Sequence, residues 1–129
     1  MSAARTVVST ESAPAAIGPY SQAINHGGLL FISGQLPLTA DGEMAGGSPA
    51  EQARQCLTNL AAISSAAGAA LTDAVKLTIY TTEMGAFAAI NETYASFFEG
   101  DEPPARAAVG VAALPKGAQV EIEAIIAVG

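Results

Sequence analysis

One cysteine and one histidine are the residues to examine first, because a thiol and an imidazole provide many protein nucleophiles and zinc ligands. To act as a nucleophile, Cys56 needs a basic partner that lowers the pKa of its thiol. Its helical spacing from Ala53, Leu57 and Leu60 instead favours a buried, small hydrophobic residue. Cys56 and His26 are too few for a metal site, and one cysteine cannot form an internal disulfide. We therefore expect no metal.

Three charged residues near the end of the chain form a second group of candidates. Strand periodicity over residues 119–127 turns Val120 and Ile122 toward a core and leaves Glu121 and Glu123 on the opposite face. Arg106 lies among small residues on the strand before. A lone arginine on a strand is usually a surface residue, and a carboxylate on an open sheet face is usually solvated. These structural roles remain alternatives to binding or acid–base chemistry.

Local signals along the chain predict an α+β fold in the order β-β-β-α-β-α-β-β. The strands are predicted at Thr6–Thr10, Tyr20–Asn25, Leu29–Ser33, Asp73–Thr82, Arg106–Ala113 and Gln119–Ala127. His26-Gly27-Gly28 forms the turn of a hairpin, and Pro37 ends its second strand. The first helix begins at the capping sequence Ser48-Pro49-Ala50-Glu51 and ends at Gly68. Four aromatic residues and one isoleucine at helical spacing mark the second, amphipathic helix: Phe87, Ile90, Tyr94, Phe97 and Phe98. Short connections put both helices on one face of the sheet.

The 129 residues include 5 Lys and Arg against 12 Asp and Glu, which gives a net charge of −7 with the histidine neutral. Half of the residues are hydrophobic, so the chain can build one compact domain over residues 1–129. The few cations are scattered, which argues against binding a nucleic acid. No apolar run approaches the ~18–20 residues that cross a bilayer, and residues 1–20 lack a signal-peptide pattern. We therefore expect a cytoplasmic protein that does not bind membranes.

The sheet face opposite the helices is too apolar to remain in contact with water. Leu29-Leu30-Phe31-Ile32 is apolar on both strand faces, and the strand from Arg106 carries small residues such as Ala108 and Gly110 beside its charge. Soluble monomers rarely expose a contiguous apolar patch of this kind. We therefore expect this face to associate with further copies of the chain.

Several sequence motifs, taken in order, resemble the RidA (YjgF) family of reactive-intermediate deaminases. They are AAIGPYSQA at 15–23, FISGQLP at 31–37, PAR at 104–106, LPKG at 114–117 and VEIEAI at 120–125. The resemblance spans nearly the whole chain. It implies a chorismate-mutase-like α+β protomer of the bacterial trimeric type, and a homotrimer with three sites in the clefts between subunits.

The resemblance also implies a reaction, the hydrolysis of 2-imino acids or their enamine tautomers to 2-oxo acids and ammonia. Such substrates include 2-aminoacrylate/2-iminopropanoate and 2-iminobutanoate. The imine carbon is already electrophilic, so the protein needs no cofactor. It has only to hold the carboxylate, orient the imine and place a water molecule. The expected small-molecule partner is a 2-imino or 2-oxo acid.

Candidate site residues follow from the same resemblance. Arg106 matches the arginine that binds the substrate carboxylate, for which its planar fork is suited. Glu121 matches the glutamate that holds a water molecule over the ligand, and Tyr20 matches a tyrosine of the site. Other positions match residues that line the same cleft: Ser33, Gly34, Asn91 and Ala108. Many relatives have a cysteine or another small polar residue where Ala108 stands, so the contact there is expected from the main chain.

The pairing of the last two strands stays open at this point. If they form a simple hairpin through Lys116, Arg106 and Glu121 lie ~17 Å apart along the strands. Either that hairpin is wrong, or residues of two chains meet at the site. Two other functions also stay open, a non-catalytic trimeric 2-oxo acid-binding or chaperone-like protein and an endoribonuclease. The acidic charge argues against the endoribonuclease.

Overall fold

A mixed β-sheet and two α-helices make up the structure, a computed structural model that describes residues 4–100 and 102–129. Within those residues the strands are β1 (Thr6–Val8), β2 (Ala23–His26), β3 (Leu29–Gln35), β4 (Ala74–Thr81), β5 (Ala105–Gly110) and β6 (Val120–Ala127). The helices are α1 (Pro49–Ala66) and α2 (Phe87–Ala95). The predicted order β-β-β-α-β-α-β-β and the α+β class are confirmed.

The sheet has the strand order β1-β2-β3-β6-β4-β5, and only β4 and β5 pair in parallel. A simple hairpin of the last two strands is therefore wrong. Four residues of β6 are buried toward the helices, so β6 takes the centre of the sheet: Val120, Ile122, Ala124 and Ile126. β5 is rich in alanine, buries little surface and lies at the edge, where α2 connects it in parallel to β4.

The hairpin of β2 and β3 turns at the predicted place, through Gly27 and Gly28 with φ of 62° and 80°. His26, predicted to belong to the turn, instead ends β2 and pairs with Leu29. β2 begins at Ala23 instead of the predicted Tyr20, because the Gln22 side chain turns inward to bind the segment before it. β3 continues to Gln35, and its pairing with β6 contains an irregularity between Ile32 and Gln35. There β3 has one residue more than β6, which is the geometry of a β-bulge.

Helix α1 begins as the capping sequence predicts. The Ser48 hydroxyl accepts a hydrogen bond from the Glu51 amide at 3.1 Å, and the Glu51 carboxylate accepts one from the Ser48 amide at 3.3 Å. The helix ends at Ala66, and Gly68 follows with φ of 78°. Its apolar face covers β3 and β6, while α2 packs beside it on the same face of the sheet.

The opposite, open face of the sheet carries apolar and charged side chains together. Phe31 on β3 lies opposite Ile125 on β6, and Glu121 lies opposite Tyr80 on β4. Phe31 is 44% exposed and Val109 on β5 is 39% exposed. These exposures agree with the predicted apolar open face.

The prediction that Arg106, Ala108 and Gly110 lie on that face is wrong, because they pair with Leu77, Ile79 and Thr81 of β4, which are buried on the side of the helices. Val75 follows the same strand alternation as the buried Leu77 and Ile79, yet its side chain is exposed, because the β4–β6 register shifts between Ala74 and Lys76.

Candidate active site

A cavity of about 660 Å³ lies on the open face, where β3 ends and β6 begins. Its walls come from the loop before β2, the bulge of β3, the loop that follows β3, and the turn before β6. Four of the predicted site residues line it: Tyr20, Ser33, Gly34 and Glu121. Residues about 100 positions apart in the chain therefore meet in a space large enough for a small organic acid.

Glu121 contributes a carboxyl group to this cavity, which Asp41 also lines. Strand alternation turns Glu121 to the open face between the buried Val120 and Ile122. Partial burial raises the pKa of Glu121 above its ordinary value of 4.5, and the charge of Glu123 raises it further. A carboxyl group with a raised pKa exchanges protons more readily near neutral pH, which suits a general acid or base.

Because Gly34 has no side chain, there is room beside it for the Glu121 carboxylate. A Cβ atom built on Gly34 would overlap a carboxylate oxygen of Glu121 and lie 3.0 Å from its Cδ. The position therefore needs glycine for close approach and not for an unusual φ, since Gly34 is not among the residues with positive φ. The β-bulge brings the main chain of β3 against Glu121 at this point.

The Ser33 side chain is held by a hydrogen bond within the protomer, whereas the Tyr20 ring is not buried. The Ser33 hydroxyl donates a hydrogen bond to the Ser21 carbonyl at 2.6 Å, and the Ser33 amide donates one to the Gln22 carbonyl at 2.9 Å. These bonds tie β3 to the loop that carries Tyr20. The Tyr20 ring is about half exposed beside the cavity. Ser33 thus fixes the wall and keeps oxygen lone pairs as acceptors, while Tyr20 is free to contact a ligand.

The remaining predicted residues, Asn91, Arg106 and Ala108, lie elsewhere. Arg106 pairs with Leu77 of β4, whose side chain is in the core, so Arg106 points to the face that carries the helices. Its guanidinium donates a hydrogen bond to Asn91 Oδ1 on α2 at 2.5 Å. Ala108 follows two residues later and, by strand alternation, shares that face.

One protomer therefore does not bring Arg106 to Glu121. The two residues lie on either side of β4 in the sheet and turn to opposite faces, since Arg106 pairs with Leu77 and Glu121 pairs with Tyr80. The sequence left two explanations for their separation. The hairpin is indeed wrong, yet the correct topology still keeps the two side chains apart.

The chain is similar to known proteins over nearly its whole length. The family model Ribonuc_L-PSP, described as Endoribonuclease L-PSP, matches residues 10–128. The chain belongs to this family, which is the RidA (YjgF) family. The chain is 56% identical over 120 residues to the RutC family protein y4sK of Sinorhizobium fredii, covering 92% of this chain and 94% of that protein. It is 48% identical over 126 residues to the 2-iminobutanoate/2-iminopropanoate deaminase of Mus musculus, covering 97% and 93%.

The fold is that of the same family. The crystal structure of RidA from a Psychrobacter species superposes with a TM-score of 0.90 at 44% identity, covering 95% of this chain and 99% of that one. The RidA-family chain therefore has the chorismate-mutase-like fold that the resemblance implied.

Buried amide side chains hold the cavity walls of this RidA-family protein, and the sequence patterns did not reveal them. Gln22 is buried; its Oε1 accepts a hydrogen bond from the Thr10 amide at 2.7 Å, and its Nε2 donates one to the Pro14 carbonyl at 2.7 Å. These bonds fix the loop before β2. The only sequence signal is that Gln22 directly precedes an apolar strand.

Two more amides act in the same way from α1. Asn59 Nδ2 donates to the carbonyls of Leu36 and Leu38, at 3.2 and 2.9 Å, in the loop after β3. Gln52 Oε1 accepts a hydrogen bond from the Gln119 amide at 2.8 Å, next to the turn before β6. This glutamine and this asparagine lie seven residues apart on the buried face of α1. A polar residue repeated at helical spacing within an apolar stripe is the signal that could have identified them.

Lys116 also lines the cavity, although the sequence indicated only a turn at this position. Its φ of 58° is left-handed, which is uncommon for a residue with a Cβ atom. The following Gly117 is left-handed too, with φ of 69°. The turn thus brings a cation to a cavity that two carboxyl groups, those of Asp41 and Glu121, also line.

Cys56 has no part in the cavity. Its side chain is fully buried under β6, and its Sγ lies 3.6 Å from the Val120 carbonyl. Burial raises the pKa of the Cys56 thiol far above its ordinary value. This agrees with the buried-hydrophobe interpretation and not with a nucleophile. Within residues 4–100 and 102–129, no three His, Cys, Asp or Glu residues lie together as metal ligands would, and no helix has the length and apolarity to cross a membrane.

Proposed function

We propose that this protein hydrolyses 2-imino acids, such as 2-iminopropanoate and 2-iminobutanoate, to 2-oxo acids and ammonia. The observation that carries the proposal is the partly buried Glu121, whose raised pKa and open cavity suit the activation of water. Relatives at 48% identity that are named 2-iminobutanoate/2-iminopropanoate deaminase support it. The substrate is a small anion, and no cofactor is required.

The chemistry needs one proton acceptor and a polarised imine. Glu121 accepts a proton from a water molecule as the water oxygen bonds to the imine carbon, and the Glu121 carboxyl then passes that proton to the imine nitrogen. In the resulting tetrahedral carbinolamine, Glu121 takes the hydroxyl proton and delivers a proton to the amino nitrogen. A C=O bond forms as the C–N bond breaks, ammonia leaves, and Glu121 is again a carboxylate. Tyr20, beside the cavity, can donate a hydrogen bond to the substrate.

Arg106 is proposed to bind the substrate carboxylate from a second copy of the chain. In one protomer Arg106 and Glu121 face opposite sides of the sheet, so a site that uses both needs two copies. The neighbouring edge strand β5 would contribute Arg106, with Asn91 and the main chain of Ala108 beside it. The apolar open face supports the contact, and three copies close such a head-to-tail arrangement as a homotrimer.

Native mass spectrometry at micromolar concentration tests the assembly. The expected mass is three times 12.9 kDa. A stable monomer would contradict the shared site, because its Arg106 could not reach the cavity of Glu121.

A net charge of −7 and scattered cations disfavour RNA as a substrate, although the family model is described as an endoribonuclease. We also propose that residues 1–129 form a single RidA-like domain. A buried, unpaired cysteine is compatible with the reducing cytoplasm, where we place the protein.

Glu121→Gln tests the reaction. The amide keeps the size of the side chain but cannot accept a proton from water, so release of ammonia and 2-oxo acid from freshly generated 2-aminoacrylate should fall by ~10²–10⁴-fold. Binding of 2-oxobutanoate should persist. Glu123→Gln is the matched control, because it removes the same charge two residues along the same face. It should shift the pH profile through the pKa of Glu121 and leave the maximal rate intact.

The outcome separates an enzyme from a binding protein. If wild type and Glu121→Gln hydrolyse the imine equally after subtraction of the uncatalysed rate, Glu121 is not the base. If neither protein hydrolyses the imine above the uncatalysed rate and both bind 2-oxobutanoate, the protein is a non-catalytic 2-oxo acid-binding protein.

A further inference from the structure

The guanidinium of Arg106 lies over two aromatic rings of α2. From their helical spacing alone, both rings would be expected only to pack in the core. The Arg106 Cζ lies 4.9 Å from the centroid of Tyr94 and 5.4 Å from that of Phe87. The same group donates a hydrogen bond to Asn91 Oδ1. We call Phe87, Asn91 and Tyr94 the arginine cradle.

Helix geometry explains why these three side chains meet one guanidinium. Positions 87, 91 and 94 are spaced by four and three residues, so they share one side of α2. Arg106 lies on the edge strand β5, which has a sheet neighbour on one side only, and is itself exposed. A long side chain at such a position samples many rotamers unless other groups restrain it. The cradle provides that restraint.

We propose that Phe87 and Tyr94 are positioning residues that hold the fork of Arg106 in the orientation that binds the substrate carboxylate. This inference rests on the proposed function. A cation is attracted to the face of an aromatic ring, and two rings together limit where the guanidinium can lie. Asn91 occupies one of its five N–H groups, so other N–H groups remain for a carboxylate.

Core packing alone does not account for the cradle. Ile90 and Phe98 are buried against apolar neighbours, and Phe98 stacks on Tyr94 with ring centroids 4.8 Å apart. Phe87 and Tyr94 differ from them, because their rings also contact a charged group that packing does not require. The Tyr94 hydroxyl is buried, with no hydrogen-bond partner among the described residues. The ring of Tyr94, and not its hydroxyl, therefore performs the positioning.

The chain contains a matched control for the loss of one ring. Phe97 lies just beyond α2, is half-buried against the same core as Phe87, and has Arg54 over its ring at 5.9 Å. Arg54 belongs to α1 and does not line the cavity. Phe87→Leu and Phe97→Leu thus remove the same group from similarly buried positions, under two different arginines.

The experiment measures the dissociation constant of 2-oxobutanoate by calorimetry for wild type, Phe87→Leu, Phe97→Leu, Tyr94→Phe and Arg106→Lys. Urea unfolding of each variant confirms that it is folded. We expect binding to weaken by roughly two- to sixfold in Phe87→Leu, the effect of one cation–π contact. Phe97→Leu should bind as wild type does, and Tyr94→Phe should retain binding because it keeps the ring. In NMR spectra, the Arg106 guanidinium should rotate faster in Phe87→Leu than in wild type.

Two results would overturn the inference while the proposed function stands. If Phe87→Leu and Phe97→Leu weaken 2-oxobutanoate binding equally, the cradle residues contribute only core packing. The inference also fails if Arg106→Lys weakens binding while Phe87→Leu changes neither binding nor guanidinium rotation. If Arg106→Lys itself binds 2-oxobutanoate as wild type does, Arg106 is not the anchor, and both the inference and that part of the proposed function fail.

Discussion

A methyl group added at Gly34 tests whether the position of the Glu121 carboxylate limits the reaction. The Cβ of Gly34→Ala would overlap one carboxylate oxygen and lie 3.0 Å from Cδ and 3.3 Å from Cγ of Glu121. Carbon and oxygen atoms pack at separations of about 3.5 Å, so the carboxylate must move by about 1 Å or more. A misplacement of that size can cost on the order of 10²-fold in rate. We expect kcat for imine hydrolysis to fall by this factor.

The fold should tolerate the same substitution. Gly34 does not have a positive φ, and the group that must move is the end of a flexible side chain. Replacing glycine by alanine also lowers the entropy of the unfolded chain, which stabilises by about 0.4–1 kcal/mol where the backbone conformation is compatible. The free energy of unfolding should therefore change by less than about 1 kcal/mol. Activity should be lost without loss of stability.

Initial rates of ammonia release and urea unfolding curves measure the two quantities on one preparation. Gly85→Ala is the control, since Gly85 also lacks a positive φ and a Cβ there meets no atom within 4 Å. It should hydrolyse the imine as wild type does. The reasoning is refuted if Gly34→Ala retains the wild-type rate, or if its activity falls only together with a loss of several kcal/mol in the free energy of unfolding.

Three further predictions concern single groups. Arg106→Lys keeps the charge but loses the bidentate fork, worth ~1.5–3 kcal/mol, so kcat/KM should fall by about 10- to 100-fold; an unchanged value would remove Arg106 from the site. The folded pKa of Glu121 is raised, so its stabilising contribution is present below pH 4.5 and is lost as pH rises through the raised pKa. Glu121→Gln should therefore melt at a higher temperature than wild type at pH 8 and converge with it at pH 4, whereas a constant difference would contradict the assignment. Cys56 should react with iodoacetamide only on unfolding; rapid labelling of the native protein would show that its thiol is accessible.

Local structure was predictable from the sequence wherever neighbouring residues determine it. The Ser48–Glu51 capping box and the Gly27-Gly28 turn depend on groups within four residues of each other. The position of β5 was not predictable in this way. Consecutive strands often pair, but β6 carries the apolar residues that fill the centre of the sheet and displaces β5 to the edge. Pairing across a sheet depends on the burial of the whole chain.

In the candidate site, too, the locally determined features were predictable and the tertiary ones were not. The family motifs identified the four residues that line the cavity, because each of these residues lies within a short run of matched sequence. The sequence did not show that Arg106 faces the helices. Its orientation follows from parallel pairing with Leu77, which is a tertiary property. The buried amides of Gln22 and Asn59 were also missed, since their partners are main-chain carbonyls that any residue supplies.

The hydrogen bonds from buried amides to main-chain carbonyls affect how the cavity can change in evolution. Gln22 and Asn59 hold the loops by the carbonyls of Pro14, Leu36 and Leu38, so these hydrogen bonds do not depend on the side chains of the residues that accept them. A substitution that alters what a loop presents to a ligand leaves these hydrogen bonds intact. Nor do the amides titrate, so the walls keep their position while Glu121 gains or loses its proton. New substrate preferences can thus arise by exchanging loop residues one at a time, each on a framework that is already fixed.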